Sequence, residues 1–303
     1  MSRGETWRET AAFWSCRGLE SAALALPEGI GRRLFVAGGD LAWRCMRGVR
    51  ATVAANQARV LGLDPTDERV CRATREAFRL YARYWHDAFQ ARTIAPAALD
   101  ARTELRGLHH IDAALARGKG CIAALPHTGN WDVAGCVFAA RGYRLVAVAE
   151  ALRPARLAEL FRRHRHALGM RVILTGGASP RHELRRLLAE NWIVTLIADR
   201  HVAGRAVDVA MFGAPRPLPS GPAMLSLATG APLLACAAYT TPAGWRVEMG
   251  PPLEITPTGD LDTDVHALAR LLGTAFERAI AASPSDWHCF QPGWRDAAAA
   301  ADA

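Results

Sequence analysis

Lysine is almost missing from this 303-residue chain: Lys119 is the only one, and arginine supplies the rest of the 37 basic side chains. Against 29 acidic residues they give a formal net charge of +8 and a pI near 9.6. The skew to arginine fits a GC-rich coding sequence. The sign of the charge favours encounter with polyanions, whether nucleic acid, anionic headgroups or phosphorylated substrates. Paired-cysteine motifs are missing too. Cys16, Cys45, Cys71, Cys121, Cys136, Cys236 and Cys289 lie far apart with no CxxC, which argues against a disulfide scaffold or a zinc ribbon and reads as a reduced, cytosolic protein. The polar start MSRGETWRET is followed by no apolar core with a small-residue cleavage site, so no signal peptide is expected. The one long uncharged stretch, Pro217 to Trp245, contains Pro217, Pro219, Pro222, Pro232 and Pro242. Prolines at that density strip a lipid-exposed helix of donors, so the stretch reads as buried core with turns, and no transmembrane span is expected.

Half of the residues are apolar, which excludes a disordered chain. There is no internal repeat, and only the alanine-rich end from Ala297 reads as frayed. The first third has apolar residues at three- and four-residue spacing over Leu34 to Val49, Val49 to Val60 and Asp67 to Phe89, with no obvious strand. From about Gly107, short apolar runs (Cys121 to Leu125, Leu145 to Ala149, Val172 to Leu174, Trp192 to Ala198, Pro232 to Ala238) alternate with helical stretches (Trp131 to Arg141, Pro154 to Leu168, Pro180 to Ala189, Ser220 to Ala228). Ala206 to Met211 and Trp245 to Met249 alternate as edge or antiparallel strands do, and Leu261 to Ala282 reads as a final helix. The expectation is an α/β fold with a central, mostly parallel sheet flanked by helices. No linker divides the chain, so residues 1–303 read as a single domain: a helical N-terminal layer over 1–106 packed on an α/β core over 107–303.

In such sheets chemistry gathers where strands end. Ala124-Leu125-Pro126-His127-Thr128-Gly129-Asn130-Trp131-Asp132 is such a junction, with Asn130 suited to a helix N-cap and Asp132 in the first helical turn. A loop that folded the Asp132 carboxylate onto His127 would fix the imidazole tautomer and leave the other nitrogen as a general base. Glu150 ends the next strand, Arg165 lies on the following helix, and Asp199-Arg200 ends another strand. No GxSxG, P-loop, strand-linked GxGxxG or HExxH occurs, which disfavours acyl-serine hydrolysis, nucleotide binding and zinc protease chemistry. No metal is expected, since His164 and His166 are the only closely spaced histidines that accompany the pair in a metal-like pattern. No helix-turn-helix, RNP or zinc-finger pattern is present, and the arginines are dispersed, so nucleic acid is not expected as a partner.

ALPHTGNWD resembles the HxxxxD signature of glycerolipid and lipid A acyltransferases, in the HxGNWD form of the lipid A lauroyl/myristoyl acyltransferase superfamily. Within it the chain is most similar to the actinobacterial phosphatidylinositol mannoside acyltransferases. Matching segments run in order along nearly the whole chain: Asn56 to Gly62, Tyr81 to Trp85, Val148 to Glu150, Leu168 to Met170, Ala198 to Arg200, Pro219 to Ala223 and Asp286 to His288. The resemblance implies a catalytic set of His127 as base, Asp132 as its orienting acid and Asp199, with Glu150, Arg165, Arg200 and Asn130 binding substrate. It also implies acyl-CoA as donor substrate without a further cofactor, a mannosylated phosphoinositide or another lysophospholipid or glycolipid as acceptor, and an anionic membrane surface at the cytoplasmic face. Trp7, Phe13, Trp14, Leu34, Phe35 and Trp43, near Arg17, Arg32, Arg33, Arg44, Arg47 and Arg50, would suit an interfacial helix. Three departures bear on the acceptor: Thr128 stands in place of methionine or leucine, His201 in place of an acid, and the segment from Ala178 to His182 is short.

Overall fold

The computed structural model describes residues 5–175, 180–202 and 204–294. The short segment at Ala178 and the alanine-rich end therefore lie, wholly or in part, outside the described residues.

Four helices open the chain: α1 (Trp7–Ala25), α2 (Glu28–Cys45), α3 (Arg47–Leu61) and α4 (Glu68–Ala91). Thr6 caps α1 through a reciprocal bond with Glu9, and Asp67 caps α4. The two helical segments expected to meet at Val49 meet instead at Met46, whose ψ of 67° leaves the helical region. The chain continues through α5 (Pro96–Ala101), β1 (Thr103–Arg106), α6 (Leu108–Leu115), β2 (Cys121–Leu125), α7 (Trp131–Ala140), β3 (Leu145–Ala149), α8 (Ala155–Ala167), β4 (Arg171–Leu174), α9 (Pro180–Ala189) and β5 (Ile193–Ile197). A hairpin of β6 (Ala206–Met211) and β7 (Ala214–Pro219) follows, then α10 (Gly221–Thr229), β8 (Leu233–Thr240), β9 (Trp245–Pro252), α11 (Leu261–Ala282) and a 3₁₀ turn, Pro284–Asp286.

The expected α/β architecture is present. Seven strands form one sheet in the order β1-β9-β8-β2-β5-β3-β4, parallel from β8 to β4, with β9 antiparallel to β8 and β1 parallel to β9. The first third is not wholly helical, because β1 falls within it and forms the sheet's edge. β7 was not anticipated in the proline-rich stretch. Its Pro215, Pro217 and Pro219 share one parity, so their missing N–H groups fall on a single edge.

Burial alternates along the central strands. Ile122, Ala124, Val146 and Val194 enter one core with α9, α10, α11 and Trp287, while Cys121, Ala123, Leu125, Leu145 and Ile193 enter a second with α5, α6 and α7. α4 closes the carboxyl end of the sheet, bringing Tyr84 and Trp85 beside Trp131 and Phe161. In α1 and α2, Trp7 (76 % exposed), Trp14 (61 %), Ile30, Leu34 and Leu41 face outward. Phe35 and Trp43 do not join them. Phe35 is buried against Ala23 and Phe89, and Trp43 is covered by Arg50 and Arg75. No helix among the described residues is long and apolar enough to cross a membrane.

Candidate active site

Strands β2, β5 and β3 are parallel neighbours, so their carboxyl ends open on one edge. His127 follows β2, Asp199 follows β5 and Glu150 follows β3, and the expected gathering of strand-end groups is realised. The loop after β2 is stitched to the tail: Gly129 N–H donates to Asp286 O at 3.0 Å and His288 N–H to His127 O at 2.7 Å. Gly129 has φ +54°, and a Cβ there would lie 2.5 Å from Ala238 O. Only glycine fits this turn between β2 and β8.

The carboxylate on His127 belongs to Asp199, not to Asp132 as the sequence spacing suggested. His127 Nδ1 and Asp199 Oδ1 are 2.5 Å apart. Asp199 is 1 % exposed and His127 side chain 23 %. Trp287 Nε1 donates to Asp199 Oδ2 at 2.7 Å, and Arg216 donates to Asp199 O through Nε and Nη2 at 3.1 and 2.7 Å. Burial by itself raises the Asp199 carboxyl, but His127, then Arg216 and the Trp287 N–H outweigh it and hold it well below the usual carboxylate range. An ionised Asp199 only accepts, so His127 Nδ1 is the donor of this bond, which fixes the tautomer of the ring. Trp131 meets the imidazole edge-on at 5.3 Å.

Asp132 has other partners. Arg165 Nε donates to its Oδ1 at 2.6 Å and Tyr84 OH to its Oδ2 at 2.7 Å. Burial opposes its charge, yet Arg165 wins and the Asp132 carboxyl is lowered, while burial and Asp132 push the Tyr84 hydroxyl up. The pair anchors α8 to α7 and α4. Asn130 is likewise structural: its Oδ1 accepts from Val133 N–H at 3.0 Å, capping α7, and its Nδ2 donates to Tyr84 O at 3.1 Å. Buried at 2 % exposure and engaged at both ends of its amide, it does not offer the substrate contact expected of it. Glu150 and Arg200 stand at the mouth, 3.3 Å apart. His288 was not singled out for the site. It packs among Tyr81, Tyr84 and Trp131, donates through Nε2 to Gly129 O at 3.1 Å, and burial drives it down to about 3, so its ring is neutral. Arg216, Trp287 and Tyr84 were missed as supports because nothing in local spacing links them to β2 or β5. Among the described residues no group of three or more His, Cys, Asp or Glu could hold a metal ion.

From His127 a cavity of about 630 Å³ runs beneath the sheet. Ala123, Ala147 and Ala149 on the strands and Ala134 and Gly135 on α7 line it, with Phe138, Ile111 and Met249 deeper in the second core. Small residues stand where Val or Leu would fill the layer. A Cβ on Gly135 would lie 2.2 Å from Met170 Sδ, so even alanine there displaces Met170. The site therefore joins a histidine held by a buried aspartate, a mouth with Glu150 and Arg200, and a deep apolar slot.

Residues 6–296 match the family described as bacterial lipid A biosynthesis acyltransferase. The chain is 37 % identical over 292 residues to proteins named phosphatidylinositol mannoside acyltransferase from two strains of Mycobacterium tuberculosis, covering 94 % of this chain and 89 % of theirs. It is 35 % identical over 274 residues to the protein of that name from Mycolicibacterium smegmatis, covering 89 % and 87 %. With both the match over its length and the site geometry in hand, the chain belongs to the bacterial lipid A biosynthesis acyltransferase family.

Proposed function

We propose that the protein transfers a long, palmitoyl-like acyl chain from acyl-CoA to a hydroxyl of a mannosylated phosphatidylinositol, with His127 as general base and Asp199 as the acid that orients it. The observation that carries this reading is the buried Asp199 on His127 Nδ1 at the mouth of the apolar cavity. His127 Nε2 takes the proton of the acceptor hydroxyl as its oxygen attacks the thioester carbonyl. The C–S bond breaks, and the departing thiolate of CoA recovers the proton. The acyl chain lies in the slot between the alanines of β2 and β3 and helix α7. Arg200 and Arg162 line the mouth and suit the donor's phosphates and the developing negative charge. Arg165, held by Asp132, positions α8 rather than the reacting atoms.

The acceptor follows the names of the relatives. A peripheral position on the cytoplasmic membrane face is supported by Trp7, Trp14, Ile30, Leu34 and Leu41, exposed on α1 and α2 near the exposed Arg33, Arg44 and Arg47. The test is purified protein with palmitoyl-CoA and a panel of mannosylated phosphatidylinositol, lysophospholipid and other glycolipid acceptors, products identified by mass spectrometry, beside His127→Ala. Palmitoylated mannosylated phosphatidylinositol from wild type alone is the expected result. Turnover retained by His127→Ala removes the base, hydrolysis with every acceptor removes the transferase reading, and a preferred lysophospholipid removes the acceptor.

A further inference from the structure

A second cavity lies on the far face of α8 from the acyl slot, between α1 and the end of α4, where the proposed chemistry has no use for it. Arg17 and Glu20 of α1, Arg92 at the C-cap of α4, and Arg163 and His164 of α8 line it, with Phe13 at its side. Residues 13, 17 and 20 follow helical spacing, so one face of α1 supplies them. The lone carboxylate does not balance the arginines. Glu20, almost wholly buried, accepts from Arg17 Nη1 at 2.6 Å and forms an ion pair with Arg92 Nη1 at 3.1 Å, which leaves both guanidinium groups with further donors. Among the described residues the one ion pair of Arg163 is with the half-buried Glu159, at 3.6 Å. The cavity thus carries three arginines against one glutamate.

His164 lines the same cavity. It is 3 % exposed, yet neither ring nitrogen has a hydrogen-bond partner. Phe89 meets its ring edge-on at 5.4 Å. Leaving such a buried donor and acceptor unpaired is costly, and native chains seldom tolerate it without a reason. Arginine forks that surround a buried donor match the oxygens of a phosphate.

We propose that Arg17, Arg92, Arg163 and His164 form a phosphate-binding site, separate from the acyl slot, which takes the phosphate of a phosphorylated ligand. The inference does not rest on the acyl-transfer reading. Two sources share this chemistry: a soluble phosphate and the headgroup of a lipid reached beside the exposed Trp7 and Trp14 of α1.

The test is NMR of the full chain carrying ¹³C-labelled histidine, titrated with inorganic phosphate and, in parallel, with sulfate-free chloride at matched ionic strength. The His164 signal is expected to shift saturably with phosphate and not with chloride. Arg163→Gln is the variant of choice, since that side chain is 67 % exposed and holds no buried partner. It should weaken the phosphate response about tenfold, as loss of one charge-assisted bond requires. Arg92→Gln should do the same where it folds. An unmoved His164 signal, or an equal response in wild type and Arg163→Gln, overturns the site. Sedimentation with phosphatidylcholine vesicles, with and without phosphatidic acid, separates the sources. An Arg163-dependent gain on phosphatidic acid assigns a lipid phosphate, and a phosphate response without that gain assigns a soluble one.

Discussion

His127 and Asp199, 72 residues apart in sequence, meet at 2.5 Å because β2 and β5 are parallel neighbours that end side by side. Asp199→Asn keeps the size of the side chain but removes the charge that fixes the imidazole tautomer. With Trp287 and Arg216 still holding residue 199 in place, kcat is expected to fall about 10²- to 10⁴-fold with little change in KM. His127→Ala should fall at least as far. Steady-state kinetics with palmitoyl-CoA beside a melting curve checks this, and near-normal kcat in a folded Asp199→Asn protein removes Asp199 from the mechanism.

Asp132→Asn should behave differently. It breaks a buried pair and leaves the Arg165 guanidinium uncompensated, a change that costs about 3 to 5 kcal/mol of stability. Because the folded Asp132 carboxyl lies below its ordinary 3.8, its stabilising contribution is present above about that pH and is lost as pH falls below it. Urea unfolding should show the Asp132→Asn deficit at neutral pH shrinking under acid. A deficit that does not change with pH, or a variant as stable as wild type, contradicts the role of this pair as an anchor.

The contrast between these two aspartates marks what the sequence made legible. Apolar runs ending at His127, Glu150 and Asp199 announced buried parallel strands and a common edge, so the location of the site could be read directly. The partner of His127 could not, because five-residue spacing favours the local Asp132, whereas strand order is set by packing far along the chain. Asn130 was legible as a helix cap and was then credited with a second role that its two hydrogen bonds leave no room for. Arg216 sits in a run of alternating prolines that argues against a strand, and its contact with the Asp199 carbonyl is visible only once β7 is paired with β6. Phe35 and Trp43 show the same limit on surfaces, since amphipathic spacing gives a stripe without saying which neighbour covers it.

The slot beneath the sheet leads to an acyl-length prediction. Ala147 lines it on β3, and Ala147→Leu fills space that an acyl tail would use. Each methylene kept out of the slot forfeits about 0.8 kcal/mol, so excluding two lowers palmitoyl transfer on the order of tenfold. Octanoyl transfer should be spared. Competition between octanoyl-CoA and palmitoyl-CoA measures the ratio, and an unchanged ratio places the acyl tail elsewhere.

Trp7 and Trp14, seven residues apart on the outer face of α1, are both largely exposed. Burying such side chains among lipid headgroups is favourable, and anionic lipid adds attraction for the nearby arginines. The Trp7→Ala, Trp14→Ala double variant should partition onto anionic vesicles about tenfold less than wild type while keeping its melting temperature. Equal sedimentation of the two proteins, or none by wild type, removes this face as the membrane contact.

His288 leads to an acid-stability prediction of definite sign. Its folded value is about 3, against an ordinary 6.5, because burial disfavours the charged ring. Between those values the unfolded chain binds a proton that the folded chain does not. Stability is therefore fully present above about pH 6.5 and is lost progressively as pH falls toward 3. His288→Gln removes the titrating group while keeping an amide that can reach Gly129 O. Some stability is lost at neutral pH, where the ring's packing on Tyr81, Tyr84 and Trp131 is gone. The further drop between about pH 7 and pH 5 should be smaller in the variant than in wild type. Chemical denaturation at the two pH values compares the drops, and equal drops mean that His288 is not the proton-linked group.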